Sequence, residues 1–153
     1  MNTAVYSHRN GIEVLPNSML EDILQIFPAI NIPTSNLQAP RIRNCIEEGL
    51  YRKSWSDKIL LDKKSKISIT SMKDHIGLCL QTGNVSRTYA DLLKLQALFV
   101  RGSIQCGIII VPTGDAARKM AQNMASYERL VYEVSTVFPQ VITMPLVVIG
   151  FYE

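Results

Sequence analysis

The chain has 153 residues, of which 47% are apolar, and carries a formal net charge of +3 at pH 7. This length and apolar content predict a single compact domain, 1–153, with a buried core. The sequence contains no run of 18 or more apolar residues and begins with a polar stretch, residues 2–10, which argues against a membrane-spanning helix and a signal peptide.

Cysteine and histidine content bears on the redox compartment and on metal binding. The three cysteines, Cys45, Cys79 and Cys106, are odd in number and lack paired spacing. This pattern predicts a reducing, cytoplasmic setting and not a disulfide scaffold. With only His8 and His75 beside them, the cysteines form no zinc pattern.

The first predicted helix begins near Pro16 and runs to about Phe27. Ser18 is its expected N-cap, and Glu21 stands at the capping-box position. Three prolines then predict an irregular stretch before the second helix: Pro28, Pro33 and Pro40.

Basic residues concentrate in the segment that follows. Eight cations fall within residues 41–66: Arg41, Arg43, Arg52, Lys53, Lys58, Lys63, Lys64 and Lys66. Such a segment suits contact with phosphate groups. A solvated helix and loop face explains it equally well, and both interpretations stay open.

Residues 67–84 are predicted to form a β-hairpin with a tight turn at 73–75. Alternation along the strands places Ile67 and Ile69 on the core side, together with Leu78 and Leu80. The opposite face then collects three polar side chains: Thr70, Cys79 and Gln81. An ordinary amphipathic hairpin with a small polar face is the simpler interpretation.

Two helices are predicted after the hairpin. The first runs from about residue 87 to 101, with Ser86 as N-cap and Gly102 as its end. The second spans residues 115–138, where apolar residues recur at steps of three or four and indicate one continuous helix. Apolar stripes on both helices predict packing against the sheet or against a partner.

The string Cys79-Leu80-Gln81-Thr82-Gly83-Asn84-Val85-Ser86 resembles the central strand of BamHI-type restriction endonucleases, a branch of the PD-(D/E)xK nuclease superfamily. That strand contains Glu-x-Glu-Thr-Gly-Asn, followed by Ile-Ser-Ser. Further segments match the family in the same order: 39–55, 106–112, 126–130 and 145–151. The resemblance implies an α/β, restriction-endonuclease-like fold with a mixed central β-sheet flanked by helices.

The resemblance also implies where a catalytic site would lie. In these nucleases, carboxylates on the hairpin and the preceding helix bind a divalent metal and position the attacking water. The corresponding positions here hold no carboxylate: Thr70, Cys79, Gln81 and Lys53. Mg²⁺ prefers anionic oxygen ligands, whereas a thiol is soft and Gln and Thr are neutral. The comparison predicts an impaired site with no metal cofactor, although some nucleases of this superfamily have Gln at the last position.

Three alternatives concern individual residues. Lys53, which replaces an acidic residue of the family, suggests a cation that contacts phosphate in place of a metal, but a solvated helix lysine is simpler. Cys79 is interpreted as a half-buried strand thiol and not as a nucleophile. The histidine nearest to it in the sequence, His75, is four residues away along the strand and would lie about 13 Å from it, too far to activate the thiol. Relocated carboxylates, such as Glu47, Glu48 or Asp62, would instead restore a Mg²⁺ site.

DNA contact is implied by the family at Asn84 and Ser86, with Arg87 beside them, and at Gln122 and Asn123. Asn and Gln side chains read adenine edges through paired hydrogen bonds. The family also implies a homodimer on a two-fold DNA target. The sequence thus predicts a catalytically impaired relative of these nucleases that binds DNA, or that serves as a non-cutting subunit or regulator. The alternatives are an active Mg²⁺-dependent endonuclease and a homodimeric interaction protein without DNA binding.

Overall fold

The computed structural model describes residues 1–32 and 38–153, so the predicted break at Pro33 lies outside the described residues. The strands are β1 Asn2–His8, β2 Ile59–Leu60, β3 Ser68–Ile69, β4 Ser71–Lys73, β5 Ile76–Leu80, β6 Cys106–Pro112 and β7 Leu146–Tyr152. The α-helices are α1 Gly11–Val14, α2 Asn17–Leu24, α3 Ala39–Arg52, α4 Val85–Val100, α5 Gly114–Met120 and α6 Tyr127–Tyr132. A 3₁₀ turn at Phe27–Ala29 follows α2, and a π-helical turn at Glu133–Val137 extends α6. None of the helices in these ranges has the length and apolarity needed to cross a membrane.

Five strands form one mixed sheet in the order β1-β7-β6-β5-β4. Its three inner strands, β5, β6 and β7, run parallel, and β1 and β4 close the edges in antiparallel pairing. The inner strands read as continuous apolar runs because helices cover both faces of the sheet. The predicted α/β class with a mixed central sheet is confirmed. Because the inner strands are parallel, their carboxyl ends open at one edge, where α/β proteins bind ligands.

Two hydrophobic cores lie on opposite faces of the sheet. One joins α2 and α3 to the sheet and includes Ile23, Phe27, Ile46 and Leu78. The other joins α4 and α6 to the opposite face, through residues such as Leu92, Leu95, Leu130, Ile109 and Val148. The two helix layers fix α3 and α4 on either side of the end of β5.

The predicted turn of the hairpin is confirmed, but the predicted facing of its first strand is wrong. Asp74 and His75 adopt φ values of 45° and 62°, as a two-residue hairpin turn requires. Ile69 packs with Cys79 in the core between the sheet and α4 (the α4 core). Leu78 and Leu80 belong to the core on the opposite face, between the sheet and α3 (the α3 core).

The strand is interrupted at Thr70, which causes this change of face. The Thr70 hydroxyl, at 2.9 Å, accepts the hydrogen bond from the backbone N–H of Leu80. The chain therefore divides into β3 and β4, and β3 pairs with β2 in a separate two-stranded sheet. Ile67, predicted to be on the core side, is 45% exposed.

The N-caps differ from those predicted. Asn84 caps α4, because its Oδ1 accepts from the backbone N–H of Ser86 at 2.9 Å, so Ser86 lies inside the helix. Pro16 precedes α2, and Ser18 lies inside that helix and makes no capping bond. Gly102, with φ at 74°, ends α4 as predicted, in the left-handed region that glycine adopts at little cost.

The prediction of a single helix over residues 115–138 is wrong, since residues 121–126 separate two helices, α5 and α6. The intervening segment pairs with the start of α4. The backbone N–H of Val85 donates to the Asn123 carbonyl at 2.9 Å, and Asn84 forms an isolated bridge with Met124. These long-range bonds take the place of helical ones, so tertiary pairing overrides the helical periodicity.

Candidate nucleic-acid interface at the end of the central strands

A cleft of about 690 Å³ opens at the carboxyl end of β5, between α3 and α4. Its chemistry comes from charged, amide and hydroxyl side chains: Arg43, Glu47, Lys58, Thr70, Gln81, Arg87, Asp91 and Lys94. Helix α3 contributes the first two of these and α4 the last three. The cleft therefore combines residues from three separate parts of the chain around the end of one strand.

Gln81 is held in one orientation by bonds to both ends of its amide. Its Nε2 donates to Asp91 Oδ2 at 2.5 Å, and its Oε1 accepts from the backbone N–H of Gly83 at 3.0 Å. A carboxylate accepts hydrogen bonds and cannot donate them, so the network assigns the amide orientation. Asp91 Oδ1 in turn accepts from Lys94 Nζ at 2.8 Å. A connected network thus runs from the strand end to a cation on α4.

The backbone at the end of β5 is also held from both sides. Arg43 Nη1 donates to the carbonyl of Leu80 at 2.8 Å, while Thr70 accepts from the N–H of the same residue. The N–H of Gln81 donates to the Ile110 carbonyl at 2.8 Å. Both backbone groups of Leu80 and the N–H of Gln81 are therefore satisfied by named partners, which gives the cleft a rigid floor.

Cys79 is a buried thiol, only 2% exposed, in the α4 core. Burial raises its pKa well above the ordinary value, and the negative charge of Asp91 raises it further. A thiol held protonated in this way is a poor nucleophile and a poor metal ligand. Cys79 is thus a strand thiol, but the expected half-burial on a polar face with Thr70 and Gln81 is wrong, because α4 covers this face and encloses Cys79 in the core.

Lys53 lies outside the cleft, at the end of α3. Its ammonium donates to Asp22 Oδ1 at 2.9 Å and to Gln25 Oε1 at 3.0 Å. The bond from Lys53 is the main reason that the pKa of Asp22 is lowered. The structure therefore does not bring Lys53 together with Thr70 and Gln81. The residues of α3 whose charged side chains line the cleft are Arg43 and Glu47.

The residues at the cleft do not fit a divalent metal. Within the described ranges, no three His, Cys, Asp or Glu side chains come together as a possible ligand set. The oxygens of Thr70 and Gln81 already accept backbone hydrogen bonds. The two carboxylates of the cleft are each paired with a cation, Glu47 with Arg43 at 2.9 Å and Asp91 with Lys94.

The cleft has an excess of positive charge. Across the part of the chain that the structure describes, four cationic side chains and two carboxylates line it, which leaves two formal positive charges uncompensated. Lys58 and Arg87 form no ion pair with any described residue. Of the basic segment 41–66, only Arg43 and Lys58 reach the cleft, and α4 supplies the other two cations.

The residues predicted to face DNA lie around the start of α4. Asn84, Ser86 and Arg87 are exposed at its first turn, and Gln122 and Asn123 are exposed on the segment that pairs with it. The side-chain oxygen of Asn84, Oδ1, accepts hydrogen bonds from the backbone N–H and the hydroxyl of Ser86, which leaves the side-chain N–H groups of Asn84 available. The long-range pairing thus brings the segment that contains Gln122 and Asn123 next to the start of α4.

Sequence reasoning missed Asp91 and Lys94 and could not place Glu47. A signal for the first pair was present, since Asp91 is a carboxylate on the apolar stripe of α4, between Thr88 and Leu95. A carboxylate at such a position needs a partner, and a lysine stands three residues later. Glu47 gave no comparable signal, because α3 is polar on its exposed face.

Comparisons with known proteins agree with this architecture. A search of curated proteins found no match. The structure is similar to that of the restriction endonuclease BglII complexed with a DNA 16-mer, with a TM-score of 0.86 and 15% identity over 100% of this chain and 79% of that one. It is also similar to free BglII, with a TM-score of 0.76 and 13% identity over 100% of this chain and 80% of that one.

The restriction endonuclease fold expected from the sequence is therefore confirmed, while neither comparison tests the finer likeness to the BamHI type. The family model described as restriction endonuclease BglII/BglIII matches residues 3–151, which is nearly the whole chain. The chain belongs to the BglII/BglIII restriction endonuclease family.

Proposed function

We propose that this protein binds double-stranded DNA through the cleft at the end of β5 and does not cleave it. One observation carries the proposal: the cleft has four cations, and both of its carboxylates are already paired with cations. By the sequence resemblance, Thr70, Cys79 and Gln81 correspond to the family's metal-binding positions; Thr70 and Gln81 line the cleft, and none of the three supplies an anionic oxygen. Such a site attracts phosphate more readily than it holds a divalent ion.

The phosphate backbone is the part of DNA that a site of this charge recognises first. Arg87 presents a flat guanidinium group that suits phosphate oxygens, Arg43 adds the N–H groups that Glu47 and Leu80 do not use, and Lys58 and Lys94 act as point charges. Phosphate contacts position a protein on the duplex without reading its sequence. The DNA 16-mer in the BglII structure supports DNA as the ligand of this chain.

Sequence readout is proposed for the polar residues around the start of α4. Gln122 presents an amide that suits an adenine edge in the major groove, the free N–H groups of the Asn84 amide can donate to an acceptor on a base, and Ser86 and Asn123 stand beside them. Arg87 lies between this group and the cleft, where it suits a phosphate or a guanine.

We propose a homodimer as well, since two copies would match a two-fold target. Sedimentation with and without DNA measures this.

Two measurements test the proposal. Fluorescence anisotropy with a mixed-sequence duplex, at about 50 to 200 mM salt, should show affinity that falls with salt, by a log–log slope of about −0.9 for each phosphate contacted. Supercoiled plasmid incubated with Mg²⁺ or Mn²⁺ should stay supercoiled. Absence of salt-dependent binding would favour an interaction protein without DNA binding.

A second candidate is an active Mg²⁺-dependent endonuclease with relocated carboxylates. Glu47 and Asp91 favour it, because both line the cleft beside Gln81. Their pairing with Arg43 and Lys94 weighs against it. Nicking of the plasmid that is abolished by Glu47→Gln would establish this activity and overturn the proposal of a non-cutting protein.

A further inference from the structure

Lys94 occupies a fixed position in the cleft. Its side chain is 25% exposed, and its ammonium bonds to Asp91, whose side chain is 8% exposed. The other oxygen of Asp91 is held by Gln81, whose own oxygen is held by Gly83. The lysine is therefore attached, through hydrogen bonds, to the rigid end of β5.

This attachment leaves part of the ammonium group available for a ligand. A lysine has three N–H donors, and the bond to Asp91 is its one hydrogen bond among the described residues. Holding the ammonium in place before a ligand arrives reduces the entropy lost on binding. The fixed cation faces the cleft together with Arg43, Lys58 and Arg87.

The same cation disfavours a divalent ion nearby. A dication placed near an ammonium is repelled, and Asp91, the anion nearest to Gln81, is already neutralised by Lys94. The carboxylate of Glu47 is paired with Arg43 in the same way. The positive charge that would attract a phosphate to the end of β5 is thus supplied by protein side chains.

We infer that Lys94 is the cation that contacts the DNA phosphate beside Gln81, so that DNA binds without a divalent ion. This inference rests on the proposed DNA binding. It adds which residue contacts the phosphate and that binding needs no divalent ion. Asp91 acts as a positioning residue that holds Lys94. Lys53, which the sequence suggested for this role, is engaged by Asp22 and Gln25 outside the cleft.

The test measures affinity for a mixed-sequence duplex over a salt series, in EDTA and in Mg²⁺ at matched ionic strength. Wild-type protein should bind in EDTA, and Mg²⁺ should not strengthen binding. Lys94→Met should lose one phosphate contact, so the log–log salt slope should become shallower by about 0.9. Lys53→Met is the matched control and should keep the wild-type slope.

Removal of Lys94 alone leaves Asp91 without its cation, so a second variant guards against loss of folding. Asp91→Asn/Lys94→Met removes both charges and should show the same reduced slope, with a native circular dichroism spectrum. A wild-type slope in the folded Lys94 variants, or a tenfold gain in affinity on adding Mg²⁺, would overturn the inference alone. Failure of the wild-type protein to bind the duplex at low salt would overturn the proposed function and this inference with it.

Discussion

Gln81 and Asp91 are joined by a hydrogen bond of 2.5 Å between Nε2 and Oδ2, which ties the end of β5 to the buried side of α4. Both residues are almost fully buried, with 6% and 5% of their surface exposed. The strand end and the helix therefore share one polar network within an apolar layer. Because buried polar groups are costly when unpaired, each member of the network depends on the others.

Asp91→Ala should destabilise the protein by about 3 kcal/mol, since it leaves the Gln81 amide and the Lys94 ammonium without their shared partner. Urea denaturation followed by the fluorescence of the buried Trp55 measures this. Asp115→Ala is the control, because Asp115 and Arg118 form an exposed ion pair, and its effect should stay within about 0.5 kcal/mol. Equal stability of the two variants would contradict a structural role for the network.

Thr70→Val should cost about 1–2 kcal/mol, because valine keeps the shape of threonine but gives the N–H of Leu80 no acceptor. Thr3→Val on β1 is the matched control, as the Thr3 hydroxyl makes no hydrogen bond to a described residue, and it should change little. Thermal unfolding of both variants compares them. A loss for Thr3→Val as large as that for Thr70→Val would show that the hydroxyl at Thr70 contributes nothing specific.

Stability should fall at alkaline pH because of two buried thiols. Burial raises the pKa of Cys106 to about 12 and raises that of Cys79 as well, from an unfolded value of 9.0. The folded state therefore holds protons that the unfolded state releases, so their contribution to stability is complete below pH 9 and is lost as pH rises. Between about pH 8.5 and 10.5 the free energy of unfolding should drop by roughly 2 kcal/mol for each thiol. Cys106→Ala should show a smaller drop, and an unchanged pH dependence would contradict the assignment.

Thiol labelling should separate the cysteines by burial. Cys45 is partly exposed on α3, whereas Cys79 and Cys106 are buried. One thiol per chain should react with an aromatic disulfide reagent in native conditions, and the other two should react only when urea unfolds the protein. Cys45→Ala should remove the fast reaction. Fast labelling of two thiols in that variant would contradict the burial of Cys79 and Cys106.

Several local features could be predicted from residues close together in the chain. The tight turn after Lys73 and the end of α4 at Gly102 follow from backbone preferences that act over a few residues. The apolar run of β6 predicts a strand buried on both faces. Resemblance to a nuclease strand at 79–86 indicated the fold, because that string lies at the carboxyl end of β5, one of the inner parallel strands.

Other features depended on contacts between distant residues. The helix predicted over 115–138 divides because residues near Asn123 pair with the start of α4, which periodicity within the segment cannot reveal. The interruption at Thr70 depends on its bond to Leu80 and reverses the facing of Ile69. Lys53 was placed at the site by a short alignment, whereas the packing of α3 turns it towards Asp22.

The sequence by itself determined the class of fold and the neutral residues at Thr70, Cys79 and Gln81, because these follow from residue types and apolar patterning along the chain. Only the tertiary structure decided which charges surround those residues. Lys94 and Asp91 reach the cleft because α4 packs its buried side against β5, and Arg43 and Glu47 reach it because α3 lies opposite. The electrostatic character of the site is a property of helix packing, since charges act through space and not along the chain.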